Sequence, residues 1–145
     1  MGGYGALMFA MRHPEVFASC VAFSAAVWAD EDLVTRDSAD FERYTGVFYD
    51  TPHKAGKDRI TPFWKEHNPL DIANASSADR LKTVRWYIDC GDDDNLSKGN
   101  CKLHILMRDL NIPHEFRVHD GGHTWSYWRA HLIEGLKFIS QTFHR

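Results

Sequence analysis

The sequence predicts an α/β protein built on a parallel sheet, and three observations carry that prediction. Helix-like and strand-like segments alternate along the 145 residues, the order that lays helices over a sheet. Residues 19–24 (SCVAFS) run as small and β-branched side chains without polar alternation, as in a strand covered on both faces. Leu103, Leu106 and Leu110, and later Trp128, Leu132, Leu136, Ile139 and Phe143, recur at helical spacing.

Taken in order, Gly2 and Gly3 open a helix running to about Arg12, with Ala6, Leu7, Ala10 and Met11 as its apolar face. His13-Pro14 ends it, because a residue before proline is pushed out of the helical region. The strand at 19–24 follows. Residues 28–72 then read as a long irregular insertion, with Phe41, Tyr44, Phe48, Tyr49, Phe63 and Trp64 set among many charges. Such stretches serve as lids or pocket walls, or else as a helical excursion packed on the sheet. A short helix is expected at 76–81, capped by Ser76 or Ser77. Residues 84–90 (VRWYIDC) form a strong strand, 96–110 a helix, and 114–119 (HEFRVH) a strand of alternating character. A final amphipathic helix carries residues 128–143.

Composition narrows the function classes. At 43% hydrophobic the chain can bury one core, so a single domain over 1–145 is expected. The net charge of −3 and the lack of a basic block argue against nucleic acid and anionic membranes as partners. No apolar run is long enough to span a bilayer. Cys20, Cys90 and Cys101 match no zinc spacing, and the nine histidines include no H-E-x-x-H, so no metal and no cofactor are expected. The acids at 92–94 do not fit a calcium loop either.

Three segments carry chemistry. Met1-Gly2-Gly3-Tyr4-Gly5-Ala6-Leu7 puts small residues where a strand and a helix must pass closely. Alone, it is equally a glycine-rich helix start. Asp89-Cys90-Gly91-Asp92-Asp93-Asp94-Asn95 places acids just past a strand, with Gly91 permitting the tight exit. Alone, it is equally a solvated turn or a helix cap. His119-Asp120-Gly121-Gly122-His123-Thr124-Trp125-Ser126-Tyr127-Trp128 joins the last strand to the last helix and sets a histidine among glycines. A general base needs such a loop, where backbone can come close to its partners.

Together these segments resemble the esterase D-like branch of the α/β-hydrolases, whose nucleophile elbow reads G-x-S-M-G-G-Y-G-A-L and whose histidine loop reads G-G-H-x-W-x-Y-W. The resemblance spans nearly the whole chain. It implies the C-terminal half of an α/β-hydrolase fold: about three parallel strands flanked by helices, with an irregular insertion after the first strand. It implies a serine esterase in which His123 is the general base and Asp94 the acid that orients it, with Asp93 in reserve. The amide of Met1 would be half of the oxyanion hole, and the serine would stand just before Met1. Tyr4 and Trp125 would contact substrate, although Trp125 is equally a wedge for the last helix. The expected substrate is a small-molecule or polysaccharide-linked ester such as a feruloyl, acetyl or S-formylglutathione ester. Transfer of an acyl group to a sugar stays open.

Two consequences follow from that resemblance. Without the serine, the 145 residues are expected to hydrolyse esters at background rates. The strand at 19–24 would present a bare edge, favouring self-association. Targeting signals, if any, would lie ahead of Met1, and the compartment, cytoplasmic or secreted, stays open. The competing reading is a non-catalytic binding module, or a truncated gene product, that retains the hydrolase fold.

Overall fold

The computed structural model describes residues 1–46, 49 and 53–143; Phe48 and the Tyr44 side chain lie outside the described residues. Its centre is a three-stranded parallel sheet of β1 (Ser19–Phe23), β2 (Arg85–Gly91) and β3 (His114–His119), in the order β1-β2-β3. Register runs from Ser19 opposite Arg85 on one side and from Trp86 opposite His114 on the other. Successive side chains alternate between faces. Cys20, Ala22, Trp86 and Ile88 therefore share one face, and Val21, Phe23, Tyr87 and Asp89 the other.

The first face is covered by α1 (Gly2–Arg12) and α7 (Ser97–Asp109). Leu7, Ala10, Met11, Leu103 and Met107 bury there against the strand residues, closed off by Leu81, Val84 and Ile112. Full burial of one such side chain is worth roughly 1.5–3 kcal/mol. Leu106 and Leu110, read from the sequence as core positions, only flank this cluster. Asn100, fully buried, donates to the carbonyls of Ala25 and Leu96 at 2.9 Å each, tying α7 to the chain leaving β1. The neighbouring Gly99 is fixed by a second approach, since a Cβ there would sit 1.8 Å from the Val27 carbonyl oxygen.

The second face is covered by α8 (Trp125–Ser140), which starts under a Thr124 cap. It turns Tyr127, Gly135 and Phe138 to the sheet. Gly135 permits the approach, because an added Cβ would meet Val21 Cγ1 at 2.9 Å. The aliphatic stripe expected from spacing is a different one: Leu132 and Leu136 stand about half exposed, and the helix stops short of Phe143. Aromatic and glycine positions, rather than leucines, define the packed face.

The described residues of 28–72, a stretch read from the sequence as irregular, form a chain of short helices: α2 (Asp30–Thr35), α3 (Ser38–Phe41) running into a π-helical turn, a 3-10 turn at Gly56–Arg59, α4 (Pro62–His67) and α5 (Pro69–Ala75). Each is two turns or less, too short for a 3.6-residue pattern to emerge. Their starts are nonetheless written locally. Asp37, Thr61 and Asn68 accept backbone N–H groups as caps, and Pro62 and Pro69 take first-turn positions where no N–H is needed. The segment has its own core of Leu33, Phe41, Tyr49 and Trp64. Arg59 is buried with them, donating to the carbonyls of Leu33, Arg36 and Lys54 at 2.7–2.9 Å, with its guanidinium over the Phe41 ring. The short α6 (Ala78–Leu81) follows Ser77, whose hydroxyl makes no capping bond.

Candidate active site

In an open parallel sheet, sites gather beyond the carboxyl ends of the strands. Here the turn after β2 and the loop after β3 meet at that end. A Cβ on Gly91 would lie 1.9 Å from the Gly121 carbonyl oxygen, so only glycine allows the approach. Three bonds of 3.0 Å lace the two loops: Asp92 N–H to the His119 carbonyl, Asp93 N–H to the Gly121 carbonyl, and Gly121 N–H to Asp92 Oδ1. Gly121 holds φ +133, a conformation that side chains rarely adopt.

This lacing brings Asp94 and His123 together. Asp94 Oδ2 lies 2.9 Å from His123 Nδ1, and Asp94 Oδ1 accepts the Leu96 N–H at 2.9 Å. The Asp94 side chain is fully buried, whereas His123 is 41% exposed. A carboxylate oxygen accepts, so Nδ1 of His123 is the donor and Nε2 stays outside that bond. Asp93 is exposed and makes no bond to His123. The geometry therefore pairs the histidine with Asp94 and not with the reserve position.

His123 stands at a cleft of about 420 Å³. Gly2, Gly3, Phe23 and Ser24 line it from the start of α1 and the end of β1, and Trp125 and Trp128 from α8. Met1 lines it too, directly ahead of α1. Gly3 is where α1 crosses β1: a Cβ there would sit 2.3 Å from the Phe23 carbonyl oxygen. Trp125 is 70% exposed and stacks edge-on against Trp128, so it walls the cleft rather than wedging the helix onto the sheet. Tyr4 is not brought to this cleft. Its ring is buried with Met8, Ala26 and Leu96, and its hydroxyl donates to the His67 carbonyl at 2.7 Å. The reason is helical: Tyr4 points away from the strand crossing that Gly3 makes.

Sequence reasoning passed over a second buried carboxylate. Asp89, on the middle strand, is fully buried and accepts from Tyr127 Oη at 2.5 Å and Tyr87 Oη at 3.1 Å. Burial first, and then the adjacent carboxylate, push both tyrosines above their ordinary range. The only sequence signal was an acid inside an otherwise apolar strand, WYIDC. Asp89 also forms a donor cluster with His119 and His131, the His119 Nε2 lying 3.6 Å from Asp89 Oδ2. It does not fit a metal ion. The two imidazoles are stacked 4.0 Å apart at 9°, so their in-plane lone pairs run parallel and cannot converge on one ion about 2.0–2.1 Å from each. Asp92, Asp93 and Asp120 cluster as exposed carboxylates, with Asp92 already holding the Gly121 and Asp93 amides.

Residues 1–139 match the family Esterase, described as "Putative esterase". The chain belongs to this esterase family. An acetyl esterase of Caldicellulosiruptor saccharolyticus is 25% identical over 146 residues, which is 97% of this chain and 52% of that protein. A ferulic acid esterase of known structure superposes with a TM-score of 0.73 at 31% identity, over 99% of this chain and 48% of the other. The S-formylglutathione hydrolase of Staphylococcus aureus shares the fold with a TM-score of 0.71 at 24% identity, over 96% and 51%. The chain thus spans about half the length of the relatives it matches. Its sheet, with three parallel strands between helical layers, agrees with the α/β expectation.

Proposed function

We propose that the protein hydrolyses carboxylic esters through an acyl-serine intermediate, with His123 as general base and Asp94 as its orienting acid. The observation that carries this reading is the 2.9 Å bond between buried Asp94 and His123 at the lip of the cleft. Asp94 holds the imidazole in the tautomer whose Nε2 can take the serine proton, and stabilises the imidazolium that results. The same group then returns the proton to the leaving alcohol, and a second round through water releases the acid. In the elbow pattern that the resemblance implies, the serine would stand at the position before Met1. The backbone amide of Met1, at the start of α1, would bond the developing oxyanion, a donor whose loss elsewhere costs about 10²–10³ in kcat. The cleft wall of Trp125, Trp128 and Phe23 favours an acyl group with an apolar or aromatic body.

Among the described residues no serine hydroxyl is bonded to His123. The 145 residues alone are therefore expected to turn over esters at background rates. Among the described strands β1 pairs only with β2, and Leu132 and Leu136 stand exposed, which favours association of the isolated chain through that side. The test is the pair of proteins. The product of the coding frame extended upstream of Met1 should label with a fluorophosphonate and hydrolyse p-nitrophenyl acetate, with at least a hundredfold loss in His123→Ala and Asp94→Ala. Labelling of the 145-residue chain itself, or activity indifferent to His123, overturns the assignment.

A further inference from the structure

One hydrogen bond does not fix an imidazole. The bond from Nδ1 to Asp94 sets one direction, but the ring can still swing about it, and the ring torsion of histidine is intrinsically broad. A base whose Nε2 must meet a serine hydroxyl within a few tenths of an ångström needs a second restraint.

The structure holds such a restraint. Trp128 meets His123 edge-on, with ring centroids 4.9 Å apart and planes at 90°. Trp128 is itself fixed: its indole Nε1–H donates to Ser24 Oγ at 2.9 Å. Ser24 is buried, and it is one of three described non-glycine residues with positive φ, at +46. It follows the last residue of β1, and its own N–H continues the sheet ladder to the Asp89 carbonyl at 2.8 Å. The indole N–H can only donate, so Ser24 Oγ is the acceptor of the bond from Trp128. A strained backbone held by a ladder bond at the end of β1, at a cleft, is the kind of outlier from which function is properly inferred.

We propose that Ser24 and Trp128 form a bracket that positions the His123 ring, with Ser24 acting wholly through Trp128. The inference rests on His123 being the base of the proposed reaction. It explains why the end of β1 takes a left-handed turn with a serine rather than a glycine there. The turn aims Oγ at the indole, and the indole sets the plane of the imidazole. Neither residue touches the reacting atoms, so both are positioning residues.

The test uses the gene's full product and three variants. Ser24→Gly keeps the left-handed backbone without strain and removes only the hydroxyl. Trp128→Phe keeps a ring and removes only the N–H. The third is the double variant. Two readouts are taken. In NMR, the His123 Nδ1–H resonance is expected to broaden and exchange faster in each variant, while the thermal melt still shows a cooperative fold. In kinetics, kcat is expected to fall about tenfold in each single variant, with KM unchanged in Ser24→Gly, and kcat of the double variant to be no worse than that of either single one, because both break one device. A sharp Nδ1–H resonance with unchanged kcat in Ser24→Gly overturns the bracket, as do single effects that multiply. The NMR readout needs no turnover. An inactive protein whose His123 still loosens in the variants refutes the esterase reading and keeps the bracket. An active one whose His123 is indifferent refutes the bracket alone.

Discussion

Adding one methyl group at Gly91 should be far more damaging than adding one at Gly5, although both replace glycine by alanine. At Gly91 the new Cβ would start 1.9 Å from the Gly121 carbonyl oxygen, and real contacts of this kind stay beyond 3.0 Å. The two loops must therefore part by at least 1.1 Å, the difference between those distances. Three loop-to-loop bonds of 3.0 Å would stretch past 4 Å and be lost. At about 0.5–1.5 kcal/mol net for each bond, the cost is roughly 2–4 kcal/mol. For a chain of this length that lowers Tm by about 5–15 °C. The Asp94–His123 contact spans the same two loops, so activity should fall with it. At Gly5, inside α1, nothing lies within 4 Å, and alanine should stabilise by about 0.5–1 kcal/mol through helix propensity alone. Circular-dichroism melts of the two variants beside the parent decide the matter. A Gly91→Ala variant melting within 2 °C of the parent would refute the close approach of the loops.

Two further outcomes follow from groups away from the cleft. His114 Nδ1 faces the Ile112 carbonyl at 2.8 Å and so donates, leaving Nε2 to accept from His104 Nδ1 at 2.7 Å. Burial, then the charges of His114 and Arg108, hold His104 below its ordinary 6.5. As pH falls below that value the unfolded chain binds the proton first, so stability drops on acidification and is flat on the alkaline side. Urea unfolding between pH 7.5 and 5 should show a smaller drop in His104→Gln, and an identical drop in both proteins would contradict the pairing. Among the cysteines, burial pushes the Cys20 and Cys90 thiols up to about 12, whereas Cys101 is only partly buried. A thiol-disulfide reagent at mildly alkaline pH should modify one cysteine in the native protein and three after denaturation. Rapid native reaction at Cys90 would show that the end of β2 opens.

The parts of this molecule that could be read from the sequence are those whose cause is local. Gly3, Gly91 and Gly121 announce close backbone approaches because no other residue survives them, and those approaches frame the cleft. Strand β2 and helix α7 declare themselves through runs long enough to show a period. The short helices of 28–72 do not, since one or two turns hold too few residues for a pattern, and only their caps and prolines betray them. The packed face of α8 was misplaced for a different reason. Spacing marks Leu132 and Leu136, but the sheet it meets is lined by Val21, Phe23, Tyr87 and Asp89, which take a glycine and a tyrosine hydroxyl better than leucine.

The same contrast separates the two buried carboxylates. Asp94 could be proposed because an acid after a strand and a histidine after the next are chemically complementary whatever their distance. Asp89 could not, because its partners Tyr87 and Tyr127 announce nothing until the fold brings them within 3.1 Å and 2.5 Å. Yet Asp89 sits under the loop that carries His123. Tyr127 fills the space beneath Gly121, where an added Cβ would meet its ring at 2.8 Å, and the Ser24 ladder bond ends on the Asp89 carbonyl. Removing the tyrosine hydroxyl strips a buried acceptor of its shorter bond, which costs about 1–3 kcal/mol. Tyr127→Phe should therefore lower the urea midpoint while the urea dependence of the unfolding free energy stays the same. Stability unchanged within about 0.5 kcal/mol would mean that Asp89 finds another partner, or is reached by water, once the hydroxyl is gone. Either result separates the carboxylate bonded to His123 from the one that holds the floor beneath its loop.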